Sequence, residues 1–177
     1  MPDADSRGLV EVYTGNGKGK TSAAMGVALR AVAADKHVHI VYFMKGNQPY
    51  GEQIALSRLP NVTFSKFGTD SFVDPENITN NDKQEAHKAF LRAQEVIFSN
   101  NYDLVILDEI NIAAAWKLLD IDDVLRMITM KPKKVDLILT GRYADSRLID
   151  IADLVTEMVE IKHPYTTGIQ ARQGIDY

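Results

Sequence analysis

The residues best suited to chemistry form a glycine-rich run near the N-terminus, Gly15-Asn16-Gly17-Lys18-Gly19-Lys20-Thr21-Ser22. Glycines let successive backbone N–H groups turn toward one centre, where they can surround phosphate oxygens. Lys20 can bridge those oxygens, and the Thr21 hydroxyl can bind Mg²⁺. The run is one residue shorter than the common pattern G-x-x-x-x-G-K-[ST]. A strand pattern before it and a helix pattern after it favour a nucleotide phosphate site over an incidental glycine-rich turn.

A second candidate is the acidic pair Asp108 and Glu109, which directly follows the apolar run Leu104–Leu107. In phosphate-loop proteins such a strand is expected beside the first strand, with its acid near the nucleotide-bound Mg²⁺. Mg²⁺ prefers oxygen ligands, and carboxylates commonly supply one or two of them. Either acid can therefore be a metal ligand, or one can act as a base toward water. A strand that ends in acids by chance is the other interpretation.

Three further positions are candidates by their place in the pattern. Arg142 follows an apolar strand segment and could reach a phosphate or the nucleoside, or pair with Asp145 on the surface. We favour a nucleotide contact for Arg30, and Lys45 qualifies by position alone. Structural or surface roles are predicted for His37, His39 and His87. Core positions rather than cofactor contacts are predicted for Trp116 and for Met127 or Met130.

Alternating strand and helix patterns predict a doubly wound α/β fold with a mostly parallel sheet of about six strands. Nearly continuous apolar runs indicate strands that are buried on both faces. The clearest helix is predicted from about Asp82 to Asn100, with Asn81 as its cap and Gln84 completing a capping box. The polar segment 68–81 is predicted to be a long loop. The predicted strands are Leu9–Thr14, Val38–Phe43, Val62–Phe67, Asp103–Asp108, Val135–Thr140 and Leu154–Ile161.

Composition limits the class of protein. The 177 residues fit one domain, 1–177, and a net charge of −4 argues against general nucleic-acid binding. The chain has no cysteine, so disulfides and thiolate sites are excluded. No apolar run reaches the about 18 residues of a membrane helix, and the polar N-terminus lacks the apolar region of a signal peptide. We therefore expect a cytoplasmic protein that binds neither membrane nor nucleic acid.

Together these segments resemble the P-loop type of ATP:corrinoid adenosyltransferase over nearly the whole chain. The resemblance implies a P-loop NTPase fold of the RecA-like kind, with ATP, Mg²⁺ and a corrinoid bound, and a homodimer. The segments that carry it are 14–24, 28–31, 43–46, 51–52, 107–110, 140–142, 152–158, 162–164 and 168–171.

The resemblance also implies a reaction. A reduced corrinoid, with cobalt as Co(I), attacks the 5′ carbon of ATP, and the whole triphosphate leaves. ATP would lie in the loop in the reverse sense to phosphoryl-transfer enzymes, with Lys20 stabilising the leaving group and Glu109 as a metal ligand. An electron-donating reductase, such as a flavoprotein, is an expected partner because Co(II) must first be reduced.

Reduction in this family depends on aromatic side chains that expel the lower axial ligand of cobalt. Phe72 matches the first of these aromatics, which gives it a catalytic role by resemblance. Two residues later, where other members carry tryptophan, this sequence has Asp74, so Tyr50 or Phe67 could assist instead. Some members also have a longer N-terminal segment that covers the partner's active site. Only about eight residues precede the first predicted strand here, so we expect that cover to be absent or made differently.

Two other functions fit the same residues. A P-loop ATPase or kinase of another family would use Lys20, Thr21 and Asp108 similarly, with Glu109 as the base. A non-catalytic regulator that binds a nucleotide or a corrinoid is the third interpretation, and the missing tryptophan favours it slightly. Turnover with a reduced corrinoid separates the regulator from the enzymes, and the phosphate product separates the two enzymes.

Overall fold

The computed structural model describes residues 7–46 and 50–176, and its centre is one parallel sheet of six strands. Every pairing between neighbouring strands is parallel, so the predicted "mostly parallel" sheet is wholly parallel. The strands are β1 (Val10–Thr14), β2 (Val38–Tyr42), β3 (Val62–Lys66), β4 (Leu104–Asp108), β5 (Asp136–Thr140) and β6 (Leu154–Glu157). All six predicted strands are therefore present.

Helices cover both faces of this sheet, which confirms the predicted α/β fold. The helices are α1 (Lys20–Ala33), α2 (Gly51–Leu56), α3 (Asn80–Phe98), α4 (Ile110–Ala115), α5 (Ile121–Thr129) and α6 (Ser146–Ile151). In the described part of the chain, none of them is both long and apolar enough to cross a membrane.

The continuous apolar strands are explained by two cores, one on each face. Side chains alternate along a strand, so Ile40 and Ile106 join the core under α1, while Val41 and Leu107 join the core under α3 to α6. All four are fully buried. The central strands therefore need apolar residues at every position.

The order of the strands is β3-β2-β4-β5-β1-β6. The strand that ends in the acidic pair, β4, was expected beside β1, and this expectation is wrong because β5 lies between them. The carboxyl ends of β1, β4 and β5 nevertheless meet at one edge of the sheet. Because β5 lies between β1 and β4, the residues that follow β5 also lie at this edge of the sheet.

The start of α3 differs from the prediction. Its cap is Thr79, and the capping box is closed by Asp82 rather than by Asn81 and Gln84. Asp82 accepts hydrogen bonds from the Thr79 backbone N–H at 2.9 Å and from its hydroxyl at 2.7 Å. Because α3 starts two residues before Asp82, this side chain is buried and its Oδ2 accepts both hydrogen bonds from Thr79. Such an arrangement depends on packing as well as on the local sequence pattern.

The strand β6 is shorter than predicted and ends at Glu157 instead of Ile161. The next residue, Met158, joins the end of β1 to the glycine-rich loop, since its N–H donates to the Thr14 carbonyl and its own carbonyl accepts from Gly17 N–H. Farther on, the segment after β6 contains a short 3₁₀ helix, Pro164–Thr167. Met130, predicted to be core, is instead exposed at the end of α5, whereas Met127 is buried.

Candidate functional site

A cavity of about 840 Å³ lies at the edge where β1, β4 and β5 end. Its volume is in the upper part of the range found for small-molecule sites. It brings together most of the residues predicted from sequence. These are Asn16, Gly17, Lys18, Gly19, Lys20, Thr21, Ser22, Phe72, Glu109 and Arg142.

The glycines of the loop are required by close contact as well as by conformation. Gly15 has φ of 93°, in the left-handed region, and a Cβ there would lie 2.4 Å from the carbonyl oxygen of Met158. A Cβ on Gly17 would lie 2.7 Å from the same oxygen. Real side chains do not approach backbone so closely, so the turn after β6 fits only against glycine. The loop is therefore shaped by the C-terminal part of the chain.

Lys20 begins α1 and points into its own loop. Its Nζ donates to the carbonyl oxygens of Gly15 at 2.8 Å and Gly17 at 2.7 Å. Burial lowers the pKa of Lys20, and the nearby Arg142 lowers it further against the opposing pull of Glu109 and Asp108. The ammonium is thus held at the centre of the loop, where a phosphate would offer it stronger acceptors.

A chain of short hydrogen bonds joins the loop to β4 and β5. The hydroxyls of Thr21 and Thr140 both donate to Asp108 Oδ1, at 2.8 and 2.7 Å. The Thr140 oxygen in turn accepts the backbone N–H of Glu109 at 3.0 Å. Since its proton faces Asp108, the Thr21 oxygen is left with free lone pairs.

The other oxygen of Asp108 has a charged partner. Lys45 Nζ lies 2.8 Å from Oδ2, and Asp108 is completely buried. The ammonium also lies over the rings of Tyr50 and Tyr42, at 4.6 and 5.5 Å from their centroids. Burial disfavours the charged lysine, but the Asp108 carboxylate outweighs it and raises the pKa of Lys45. Lys45, a candidate by position alone, is therefore built into the site.

Of the acidic pair, Glu109 is the member that lines the cavity. It has φ of 69°, a left-handed conformation that turns the chain from β4 into α4. Burial raises the pKa of Glu109, and the neighbouring Asp108 raises it further, while Lys45, Lys20 and Arg142 oppose the shift. Glu109 forms no direct ion pair within the described residues, and a free carboxylate and a hydroxyl with free lone pairs are oxygen donors that Mg²⁺ prefers. Thr21 and Glu109 thus fit the ion, whereas both oxygens of Asp108 are already engaged.

The two candidate arginines lie in different places. Arg142 lines the cavity, and Asp145 pairs with Arg147 at 3.1 Å rather than with Arg142. Arg30 is exposed in the last turn of α1, outside the lining of the cavity, where its charge acts on Tyr13. A nucleotide contact for Arg30 stays a prediction that this placement does not favour.

The long loop brings one aromatic side chain to the cavity. Phe72 lines it while 95% exposed, and Tyr50 lines the same cavity. Phe67 instead packs against the core. Asp74 accepts from Glu76 N–H at 2.9 Å and so folds onto its own loop. Of the two aromatics expected to assist Phe72, only Tyr50 therefore reaches the cavity.

The C-terminal tail also lines the cavity, which the sequence analysis did not predict. Lys18 forms an ion pair with Asp176, whose carboxylate also accepts Nε of Arg172 at 3.0 Å. Gly174 and Ile175 follow the same wall. Lys18 and Asp176 lie 158 positions apart in the chain, so no local sequence pattern could indicate their ion pair.

One face of α1 forms another wall that sequence reasoning missed. Met25, Gly26 and Leu29 line the cavity, and nothing lies within 4 Å of a Cβ built on Gly26. A glycine in the middle of a helix costs about 1 kcal/mol relative to alanine. Gly26 was therefore a feature of the sequence that could have indicated a functional role for this face of α1. Trp116, predicted to be core, packs against the core and also lines the cavity.

The parallel sheet and the glycine-rich loop between β1 and α1 define an α/β fold of the P-loop NTPase-like class. The family model described as ATP:corrinoid adenosyltransferase BtuR/CobO/CobP matches residues 6–177, and the chain belongs to this family of transferases.

Proteins named corrinoid adenosyltransferase are similar to the chain over nearly its whole length. Those of Escherichia coli (strain K12) and Salmonella typhimurium (strain LT2) are 35% and 34% identical over 173 residues, which cover 98% of this chain and 87% of each relative. One from Sinorhizobium sp is 38% identical over 176 residues, 98% of this chain and 82% of the relative.

Proposed function

We propose that this chain transfers the 5′-deoxyadenosyl group of ATP to the Co(I) of a reduced corrinoid and releases the whole triphosphate, in the synthesis or salvage of coenzyme B12. The observation that carries the proposal is one cavity lined both by the phosphate loop and by the exposed ring of Phe72. A triphosphate and a flat, largely apolar macrocycle require those two kinds of surface next to each other.

In the proposed reaction Co(I) supplies an electron pair to the 5′ carbon and forms the cobalt–carbon bond. The carbon–oxygen bond to the triphosphate breaks, and its electron pair leaves with the triphosphate, while cobalt is oxidised to Co(III). No proton is transferred, so no general base is needed. The site has to stabilise the charge that develops on the leaving group.

The residues of this chain suit that task. The N–H groups of the loop, Lys20 and Arg142 are donors that would hold the triphosphate in ground and transition state. Thr21 and Glu109 would hold Mg²⁺, which supplies further positive charge to the phosphates when it is bound. Asp108 would keep the Thr21 hydroxyl oriented through the hydrogen bond at 2.8 Å.

Product analysis tests this function against ATP hydrolysis. With ATP, Mg²⁺ and chemically reduced cobalamin, we expect one tripolyphosphate for each adenosylated corrinoid and little ADP. ADP and orthophosphate formed in equal amounts without corrinoid would overturn the proposal and support the ATPase. Absence of any turnover would support the non-catalytic regulator.

Replacing Glu109 separates a metal ligand from a hydrolytic base. We expect Glu109→Gln to lower adenosylation through weaker Mg²⁺ binding, so that raised Mg²⁺ partly restores the rate. Loss of a base would not respond to the metal. Glu95→Gln, on the exposed face of α3, is the matched control and should behave as wild type.

The resemblance supports three further expectations. A homodimer, an electron-donating reductase and a cytoplasmic location are proposals for this chain. Residues 1–6, on which the predictions of a missing cover and a missing signal peptide depend, lie outside the described residues.

A further inference from the structure

A second cavity, of about 410 Å³, lies next to the first and shares a wall with it. The shared wall is the indole of Trp116, which lines both cavities. The long loop also connects them, since Phe72 and Val73 line the first cavity and Pro75 and Ile78 line the second. A ligand in the first cavity could therefore extend one of its parts into the second.

The lining of the second cavity combines an aromatic surface with positive charge. Trp116 and Ile78 pack against the core, which leaves them as a fixed apolar floor. The charged groups of the lining are Lys83, from the first turn of α3, and Lys117, just after α4. Neither ammonium has an ion-pair or hydrogen-bond partner within residues 7–46 and 50–176, and no acid lines the cavity. This lining suits an aromatic ring that carries a phosphate.

Lys117 occupies a position where lysine is costly. Its φ of 57° is left-handed, and its N–H closes the end of α4 on the carbonyl of Ala114 at 2.9 Å. Glycine is the usual residue at such a helix end, because a side chain there costs about 1 kcal/mol. The conformation of this position therefore favours glycine over lysine, and the lysine adds a positive charge at the cavity.

We propose that the second cavity binds the lower nucleotide of a complete corrinoid, an aromatic base joined to the macrocycle through a ribose phosphate. The base stacks on Trp116, and the phosphate pairs with Lys83 and Lys117. The proposal rests on the proposed function, because the macrocycle of the same molecule would occupy the first cavity. It makes the second cavity a determinant of which corrinoids the chain prefers.

Binding can be measured without any reaction, since Trp116 is the single tryptophan of the chain. The probe is the ribonucleotide of dimethylbenzimidazole, titrated with ATP present in excess to fill the phosphate loop. We expect saturable quenching of the Trp116 fluorescence, and much weaker quenching by the matching ribonucleoside, which lacks the phosphate that Lys83 and Lys117 would bind. Quenching that is seen only without ATP would place the probe in the first cavity and overturn the proposal, as would no quenching or equal quenching by the ribonucleoside.

The decisive variant is Lys83→Ala combined with Lys117→Gly. It removes both charges while giving the helix end the residue that its conformation favours, so we expect an unchanged melting temperature. The Kd of the probe should rise about 5-fold or more, as for the loss of two exposed ion pairs. An unchanged Kd would overturn the proposal. Lys134→Ala, at the opposite end of the sheet, is the matched control.

Turnover distinguishes this proposal from the proposed function. The double variant should raise the KM for cobalamin and leave the KM for cobinamide, which lacks the lower nucleotide, unchanged. An equal rise for both corrinoids would overturn the second cavity as a nucleotide site. If wild type adenosylates neither corrinoid, the proposed function fails, and the fluorescence titration still decides the binding site.

Discussion

The side chain of Lys20 is held in the phosphate loop by two carbonyl oxygens of the loop itself. A bound triphosphate would replace those neutral acceptors with charged ones. The ammonium is thus preorganised for the charge that develops on the leaving group, and little rearrangement opposes it.

Lys20→Ala should lower the turnover of adenosylation at least ~100-fold, which corresponds to about 2.7 kcal/mol of transition-state stabilisation. The measurement is the initial rate with saturating ATP and ready-made Co(I) corrinoid. Lys134→Ala serves as the control, and a near-normal rate for Lys20→Ala would remove this lysine from the mechanism.

The exposed side chain of Phe72 is also placed to act on a ligand. A phenylalanine that is 95% exposed contributes little to the core, and its place in the cavity lining puts the ring where a bound ligand would contact it. If that contact displaces the lower axial ligand, it matters only while Co(II) is being reduced, since that ligand is already off in Co(I).

Phe72→Ala should therefore slow adenosylation at least ~10-fold when a mild reductant has to convert Co(II) on the enzyme, a loss typical of removing a phenyl ring that a bound ligand covers. With Co(I) supplied ready-made, the loss should be much smaller. Phe98→Ala, at the end of α3, is the control. Equal losses in both assays would indicate that Phe72 serves corrin binding or loop folding. No loss in either assay would indicate that Tyr50 displaces the lower ligand instead.

Among the elements, the C-terminal tail has the least regular structure and a defined place at the site. Its attachment to the phosphate loop depends on the ion pair between Lys18 and Asp176, which is partly exposed. The turn that carries Asp176 is closed by Arg172, whose backbone N–H donates to the same carboxylate at 2.9 Å. Releasing Lys18 should loosen the tail without unfolding the sheet.

Lys18→Gln should speed tryptic cleavage after Arg172 about 3-fold, because an exposed ion pair of this kind holds a segment by a fraction of a kcal/mol to about 1 kcal/mol. Mass spectrometry of timed digests measures the rate, and Lys134→Gln is the control. Cleavage at the wild-type rate would show that the ion pair does not hold the tail.

At the scale of the whole molecule, one buried histidine couples folding to pH. His39 in β2 is 1% exposed, and its two ring nitrogens contact the hydroxyls of Thr63 at 2.6 Å and Ser65 at 3.0 Å. Ser65 also accepts from Arg92, so its own proton is free to go to Nε2. Burial lowers the pKa of His39 to about 4, and the Arg92 charge adds to the shift.

The unfolded chain binds this proton near pH 6.5 while the folded chain resists it down to about 4, so stability falls as pH decreases through that window. Between pH 7 and pH 5 the loss should be about 2 kcal/mol in the free energy of unfolding. Urea unfolding of wild type and of His39→Gln measures this loss. The carboxylates contribute equally to the pH dependence of both proteins, so their contribution cancels in the difference. Parallel pH profiles would contradict the assignment.

The sequence alone predicted what depends on local pattern. Six apolar runs gave the strands, and the glycine-rich run with Lys20 and Thr21 placed a phosphate loop between a strand and a helix. These predictions succeeded because propensity, hydrophobic period and turn chemistry act within a few residues. Element ends were less secure, and the cap of α3 moved to Thr79 because Asp82 could be buried there.

Only the tertiary structure decided which distant segments meet. It placed β5 between β1 and β4, fitted Met158 against the two loop glycines, and paired Lys18 with Asp176 and Lys45 with Asp108. It also divided the acidic pair, giving Asp108 to a buried network and Glu109 to the cavity. Contacts between residues far apart in the chain arise from packing of the whole sheet, and that packing leaves no mark in the local sequence.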